Sequence, residues 1–196
     1  LDKTTISLES LLQSHQEAFN QSFTEEKKQL IENIVDLLIV TFKAGRKLLL
    51  CGNGGSAADS QHIAAEFIAR YKLERKSLPA IALTTDTSIL TATANDYDFN
   101  RIFSRQVEGL GNKGDVLIGI STSGNSENVL KAFEEAKNKQ MKVIGFTGAH
   151  GGKMKNLADY CYCAGSTNTP NIQEMHILVL HSICELLEIR MFADES

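Results

Sequence analysis

The stretch Leu48–Phe67, "LLLCGNGGSAADSQHIAAEF", runs an apolar segment into a glycine-rich turn and then into a segment with helical spacing. An apolar run without alternation suits a strand covered on both faces, as in a parallel sheet with crossover helices. The pattern recurs downstream. "KLLLC", "AIALT", "DVLIGI", "KVIGFT" and "DYCYC" are each about the length of a strand and are separated by helical segments, so five strands are expected. A doubly wound α/β domain follows from that alternation.

Both flanks read as helical. Leu8, Leu11, Leu12, His15 and Phe19 repeat at near-helical spacing, and a second helix is expected from about Thr24 to Ala44. Ser22 and Glu25 offer a capping box at its start, and Gly45 a left-handed cap at its end. The final segment, from about Gln173 to Met191, is apolar almost all the way round, and a helix of that kind must be buried. One domain of this size has little room to surround it, so a homo-oligomer packed through helices from both ends is expected.

Composition bounds the rest. The 196 residues, 42% of them hydrophobic, fit one domain able to bury about 70% of its unfolded surface. That domain is read as 1–196, with N-terminal helices that form an expected oligomer interface in residues 1–45, and the α/β core and C-terminal helix in 46–196. A net charge of -4 argues against a broad basic surface for nucleic acid or an anionic membrane. Arg70, Lys72, Arg75 and Lys76, interrupted by Glu74, read as ordinary solvated surface. No run of eighteen apolar residues occurs, and "LDKTTISLES" has neither the basic nor the apolar region of a leader, so a soluble cytoplasmic protein is expected. Four cysteines do not make a disulfide framework. Cys161 and Cys163 share one strand face without visible metal partners and read as small buried hydrophobes.

Ligands of open α/β sheets bind beyond the carboxyl ends of the strands. There "GNGGS" follows the first strand and "STSGNS" follows "LIGI", and each enters a helix. Small residues let backbone N–H groups approach an anion at a helix N-terminus. Ser121, Thr122, Ser123 and Ser126 add four hydroxyls, more than one helix cap uses, and so favour a phosphate on a small molecule over capping alone. Gly52, Gly54 and Ala57 also fit a dinucleotide turn, but the expected acidic residue about twenty positions on is missing. Asp86 is the nearest. His62 and Glu66, at i and i+4, project from one helix face and suit a shared metal, a shared substrate or a weak helix pair. Gln173 and His181 stand on a largely apolar helix, where burial of a polar group demands a partner. His176 points elsewhere and reads as structural, and His15 and His150 offer no constellation.

"CGNGGSAADSQHIAAEF", "TANDYDFNRIFSRQVEGLG", "GDVLIGISTSGNSENVLKAFEEA", "GFTGAHGGKM" and "IQEMHILVLH", in that order, resemble the sugar isomerase (SIS) domain, specifically the phosphoheptose isomerases. The resemblance covers almost the whole chain. It implies a three-layer αβα, flavodoxin-like five-stranded parallel sheet with extra N-terminal helices, a homotetramer with active sites between subunits, and one zinc ion per subunit. It places substrate contacts on Asn53, Gly54, Gly55, Glu66, Asn95, Asp96, Ser121, Thr122, Ser123, Ser126 and Gln173, and zinc ligands on His62, Glu66, Gln173 and His181. The implied reaction converts the ketose D-sedoheptulose 7-phosphate to the aldose D-glycero-D-manno-heptose 7-phosphate, the first step of heptose biosynthesis for lipopolysaccharide or other surface glycans.

Such a reaction moves a proton between C1 and C2 through an enediol, and needs a base, an acid and an electrophile. Glu66 is read as the base and His181 as its acid/base partner. Two alternatives are a noncatalytic relative that binds the replication initiator DnaA and a sugar-phosphate sensor. The DnaA-binding relative resembles this chain through "SLPAIALTTDTSILTATANDYD", but lacks the residues that correspond to Glu66 and His181. One departure from the family pattern is Asn171, where many relatives carry Arg.

Overall fold

The computed structural model describes residues 7–193, so much of the leader reading of "LDKTTISLES" lies outside the described residues. Helix α1 (Leu8–Ser22) begins at Ser7, which exchanges side-chain and backbone hydrogen bonds with Ser10. Helix α2 (Glu25–Lys43) is capped by Thr24, whose hydroxyl accepts from the Lys27 N–H. Ser22 is therefore not the cap expected from the sequence. It ends α1 fully buried, and its hydroxyl accepts the Gly165 N–H at 2.8 Å. At the other end of α2, Gly45 has φ +68°. The Gly45 and Arg46 N–H groups return to the Phe42 and Thr41 carbonyls, the paired bonds of a Schellman motif.

Five strands follow: β1 (Leu48–Gly52), β2 (Ala80–Ala82), β3 (Val116–Ile120), β4 (Lys142–Thr147) and β5 (Tyr160–Cys163). All pair in parallel, in the order β2-β1-β3-β4-β5, which is the flavodoxin-like order. The connections are α3 (Gly55–Ile68), α4 (Thr87–Asp96), a short 3₁₀ turn at Phe99–Arg101, α5 (Ser104–Leu110), α6 (Glu127–Asn138) and α7 (Met154–Leu157), and α8 (Thr169–Phe192) follows β5.

Alternate strand residues feed two cores, one on each face of the sheet. Leu48, Leu50, Ile118 and Phe146 pack with α2, α3 and α8. Leu49, Cys51, Leu117 and Val143 pack with α5, α6 and α7. Apolar side chains are needed on both faces, which is why these strands show no alternation in sequence. Gly119 is small for a packing reason, since a Cβ there would run into Phe133 and Val129 of α6.

Helix α8 starts earlier than its apolar pattern suggests, because Pro170 occupies its first turn, where a missing N–H costs nothing. Its buried stripe runs through Ile172, Met175, Val179, Ile183 and Leu187, while Leu178 and Ile189 are exposed. Complete burial of α8 is thus not achieved within one chain. Two further expectations need correction. Arg75 is not solvated surface: its guanidinium is buried against Glu188 at 3.0 Å. Cys161 and Cys163 are only partly buried, unlike Cys51 and Cys184, and all four cysteines are free thiols.

Candidate active site

Strand order reverses between β1 and β3, and the crevice that opens there is where such sheets bind ligands. The two loops singled out from the sequence meet across it. Asn53, leaving β1, and Asn128, in the first turn of α6, exchange two side-chain amide hydrogen bonds of 2.9 Å each. Asn128 was not anticipated. Its signal was a polar residue beside the inward apolar face of an amphipathic helix, since it is buried beside Val129 and Leu130.

In the loop after β3, Ser126 occupies the N-cap position of α6, yet its side chain makes no cap hydrogen bond. It turns to Ser121 at 2.8 Å, and Ser121 also faces Ser123 at 3.4 Å. Three hydroxyls therefore cluster at the mouth of a helix whose N-terminal dipole favours an anion. The loop after β4 braces them. Gly148 donates to the Thr122 carbonyl, Met154 to the Gly124 carbonyl and Lys153 to the Asn125 side chain.

Gly54 starts α3 at φ +57°, and the adjoining Gly55 faces Gln173 so closely that a Cβ would lie 2.5 Å from its amide nitrogen. Glycine at 55 is what lets α8 approach the loop after β1. About two turns along α3, His62 Nε2 lies 3.1 Å from Glu66 Oε1 and 3.2 Å from His181 Nε2 of α8. The two rings meet edge to face, 4.9 Å between centroids. His181 is held below the usual histidine pKa by burial and by His62, with Glu66 opposing.

A ligand atom from each of these three residues lies within 4.8 Å of the others. Two imidazole nitrogens turned on one another repel unless a proton or a cation lies between them. Two nitrogens and a carboxylate oxygen are also a donor set suited to a zinc-like ion. Asp59, three residues before His62, was likewise not anticipated. Its Oδ2 is buried without a hydrogen-bond partner, and burial raises its carboxyl pKa against the influence of His62.

The end of α3 is clamped from α8. Glu188 accepts from the Tyr71, Lys72 and Leu73 N–H groups and from Arg75. Burial pushes its carboxyl pKa up, but these donors outweigh it and the net shift is downward. Arg75 in turn donates to the Glu66 and Phe67 carbonyls, and the Tyr71 ring lies 5.6 Å from that of His181. A charged residue on the buried stripe of an apolar helix was the available signal for Glu188.

Other sequence candidates fall elsewhere. Asn95 and Asp96 end α4 exposed, bonded to each other at 2.8 Å. Asp86, the weak dinucleotide candidate, caps α4 by accepting from the Ile89 N–H. Asn171 is buried and donates to Ser14 of α1. His15, unassigned from sequence, pairs with Glu174. His176 is structural, as expected.

A family model described as the SIS domain matches residues 13–148. The phosphoheptose isomerase of Helicobacter pylori strain P12 is 56% identical over 183 residues, 93% of this chain and 94% of the relative. The structure of phosphoheptose isomerase from Neisseria gonorrhoeae superposes with a TM-score of 0.83 at 41% identity, covering 93% of this chain and 99% of that one. That of a phosphoheptose isomerase from Francisella tularensis gives 0.86 at 38% identity, covering 91% and 94%. This chain belongs to the SIS-domain family and, within it, to the phosphoheptose isomerases.

Proposed function

We propose that this chain converts D-sedoheptulose 7-phosphate to D-glycero-D-manno-heptose 7-phosphate, opening heptose biosynthesis for lipopolysaccharide or another surface glycan. The observation that carries the reading is the meeting of His62, Glu66 and His181 beside two phosphate-type loops joined through Asn53 and Asn128.

Ser121, Thr122, Ser123 and Ser126, with the N-terminus of α6, hold the phosphate. Binding energy far from the reacting carbons then positions the ketose end. Asn53, Gly54, Gly55 and Gln173 receive the sugar oxygens. Glu66 removes the proton from C1 and returns it to C2, and His181 moves the proton between O1 and O2 as the enediol forms and collapses. Glu66 turns Oε1 towards His62, which leaves its second oxygen for the carbon-bound proton. His62, Glu66, Gln173 and His181 would hold a zinc ion, which would supply Lewis-acid polarisation of the substrate oxygens.

The exposed apolar residues Leu8, Leu11, Leu12 and Phe19 of α1, with Leu178 and Ile189 of α8, support packing into a homotetramer. Its N-terminal helices, within residues 1–45, form part of the interface, and 1–196 act as one SIS domain. Asn95 and Asp96 add contacts to the sugar. The protein works in the cytoplasm; among the described residues no helix is long and apolar enough to cross a membrane.

The test is incubation of purified protein with sedoheptulose 7-phosphate, with and without a chelator. Aldose product that falls on chelation and returns with zinc is expected. No product under any condition overturns the reading. A monomeric mass by light scattering at micromolar concentration would remove the tetramer.

A further inference from the structure

Cys161 and Cys163 take no part in the site described above. They stand two apart on β5, an edge strand, so their side chains leave the same face. Their Sγ atoms lie 4.0 Å apart. Both thiols open on a cavity of about 800 Å³ between β5 and the start of α2, whose walls also carry Lys27, Lys155 and Asp159. Cys51 and Cys184 differ: they are buried, and burial holds their thiols well above the ordinary range.

The pair shares a proton unequally. A hydrogen bond from the Cys161 thiol lowers Cys163 to about 7, against burial, with Lys155 and Lys27 assisting. The same hydrogen bond, together with burial, holds Cys161 above its usual value. When the pair ionises it is Cys163 that loses its proton first, giving the thiolate, the nucleophilic and metal-binding form of cysteine.

The spacing indicates the class of ligand. The gap of 4.0 Å is short enough for one cation, about 2.3 Å from each sulfur, to bridge both. Thiolates select soft cations such as Cu(I) or Zn(II). Zinc takes four ligands, three of them from protein even in open sites. Among the described residues, His62, Glu66 and His181 are the one group of three such ligands placed closely enough. Among the described residues the cysteine pair has no third His, Cys, Asp or Glu ligand as close, which favours a cation content with two.

We propose that Cys161 and Cys163 form a two-thiolate site for a soft monovalent cation of the copper(I) class, on the sheet edge and separate from the isomerase site. As the second metal–sulfur bond forms, the proton on Cys161 passes to solvent, and no redox change occurs.

The test uses the full chain under anaerobic conditions, with Cu(I) competed against a chromogenic Cu(I) chelator. The unmodified protein should withdraw one equivalent. Cys161→Ser and Cys163→Ser should each weaken retention at least tenfold, and the double variant should lose it while keeping aldose formation unchanged. Alkylation of the unmodified protein, read by peptide mass spectrometry, gives an answer that needs no variant: Cu(I) should protect Cys161 and Cys163 together. Undiminished Cu(I) retention in the double variant, failure of the unmodified protein to compete, or absence of joint protection overturns the proposal.

Discussion

His176 and His181 share α8, five residues and about 140° of helical rotation apart, and they are put to opposite uses. His176 is fully buried, its Nε2–H donates to the Thr147 carbonyl at 3.0 Å, and burial pulls its pKa down to about 4. His181 faces the crevice with Nε2 directed at His62. One helix thus anchors itself to the sheet through a neutral imidazole and presents a second imidazole to a reactive cluster. A histidine on an apolar helix is structural or functional according to which neighbour its face meets, and rotation about the axis decides that.

The comparison can be broken most severely at the reactive end. Glu66→Gln should lower kcat by about 10³-fold, within the range for losing a general base, while the KM for sedoheptulose 7-phosphate changes little. Steady-state kinetics on the purified variant decide it, and near-normal turnover would remove Glu66 as the base.

Glu188 links the two ends, since its clamp reaches the Glu66 carbonyl through Arg75. Glu188→Ala leaves a buried guanidinium without its carboxylate and should cost about 3 kcal/mol of stability, as breaking a buried pair does. Denaturant unfolding would measure it. A loss under 1 kcal/mol would mean that solvent or another carboxylate replaces the clamp.

The structural histidine has its own pH signature. Its folded pKa lies below the ordinary histidine value of 6.5, so the unfolded chain binds the extra proton first as pH falls. Its contribution is complete above pH 6.5 and is lost as pH falls towards 4, by up to about 3 kcal/mol at 1.36 kcal/mol per unit. His176→Phe should flatten that part of the stability profile in urea melts across pH 4 to 7. An unchanged slope would show that His176 is not its source.

The smallest effect is expected where the loops join. Asn128→Ala leaves the Asn53 amide without its partner, and should reduce kcat/KM about tenfold, consistent with about 1–2 kcal/mol for a buried polar group left unpaired. Unaltered kinetics would show that the loops hold their positions without the amide pair.

Much of this was legible in the residues. Apolar runs of strand length between helical segments predicted five parallel strands, because a strand covered on both faces must be apolar throughout. The hydroxyl-rich loop was legible because the four hydroxyls of Ser121, Thr122, Ser123 and Ser126 exceed what one helix cap needs. The spacing of His62 and Glu66 put both on one helix face. The partners of those groups were less visible. Ser22 resembled a cap until its burial against Gly165 was seen, and Arg75 resembled surface until Glu188 appeared beside it, 113 residues away in sequence.

The order of residues along the chain determined the α/β class, the strand count and the candidate side chains, since local periodicity and backbone preference are properties of neighbours in sequence. Only the tertiary structure decided that His181 meets His62 across 119 positions, that Asn53 meets Asn128 across 75, and that both β5 thiols border a cavity. Those outcomes depend on how strands pair and helices rotate in packing, and residues brought together that way carry no mark of it in their own neighbourhoods.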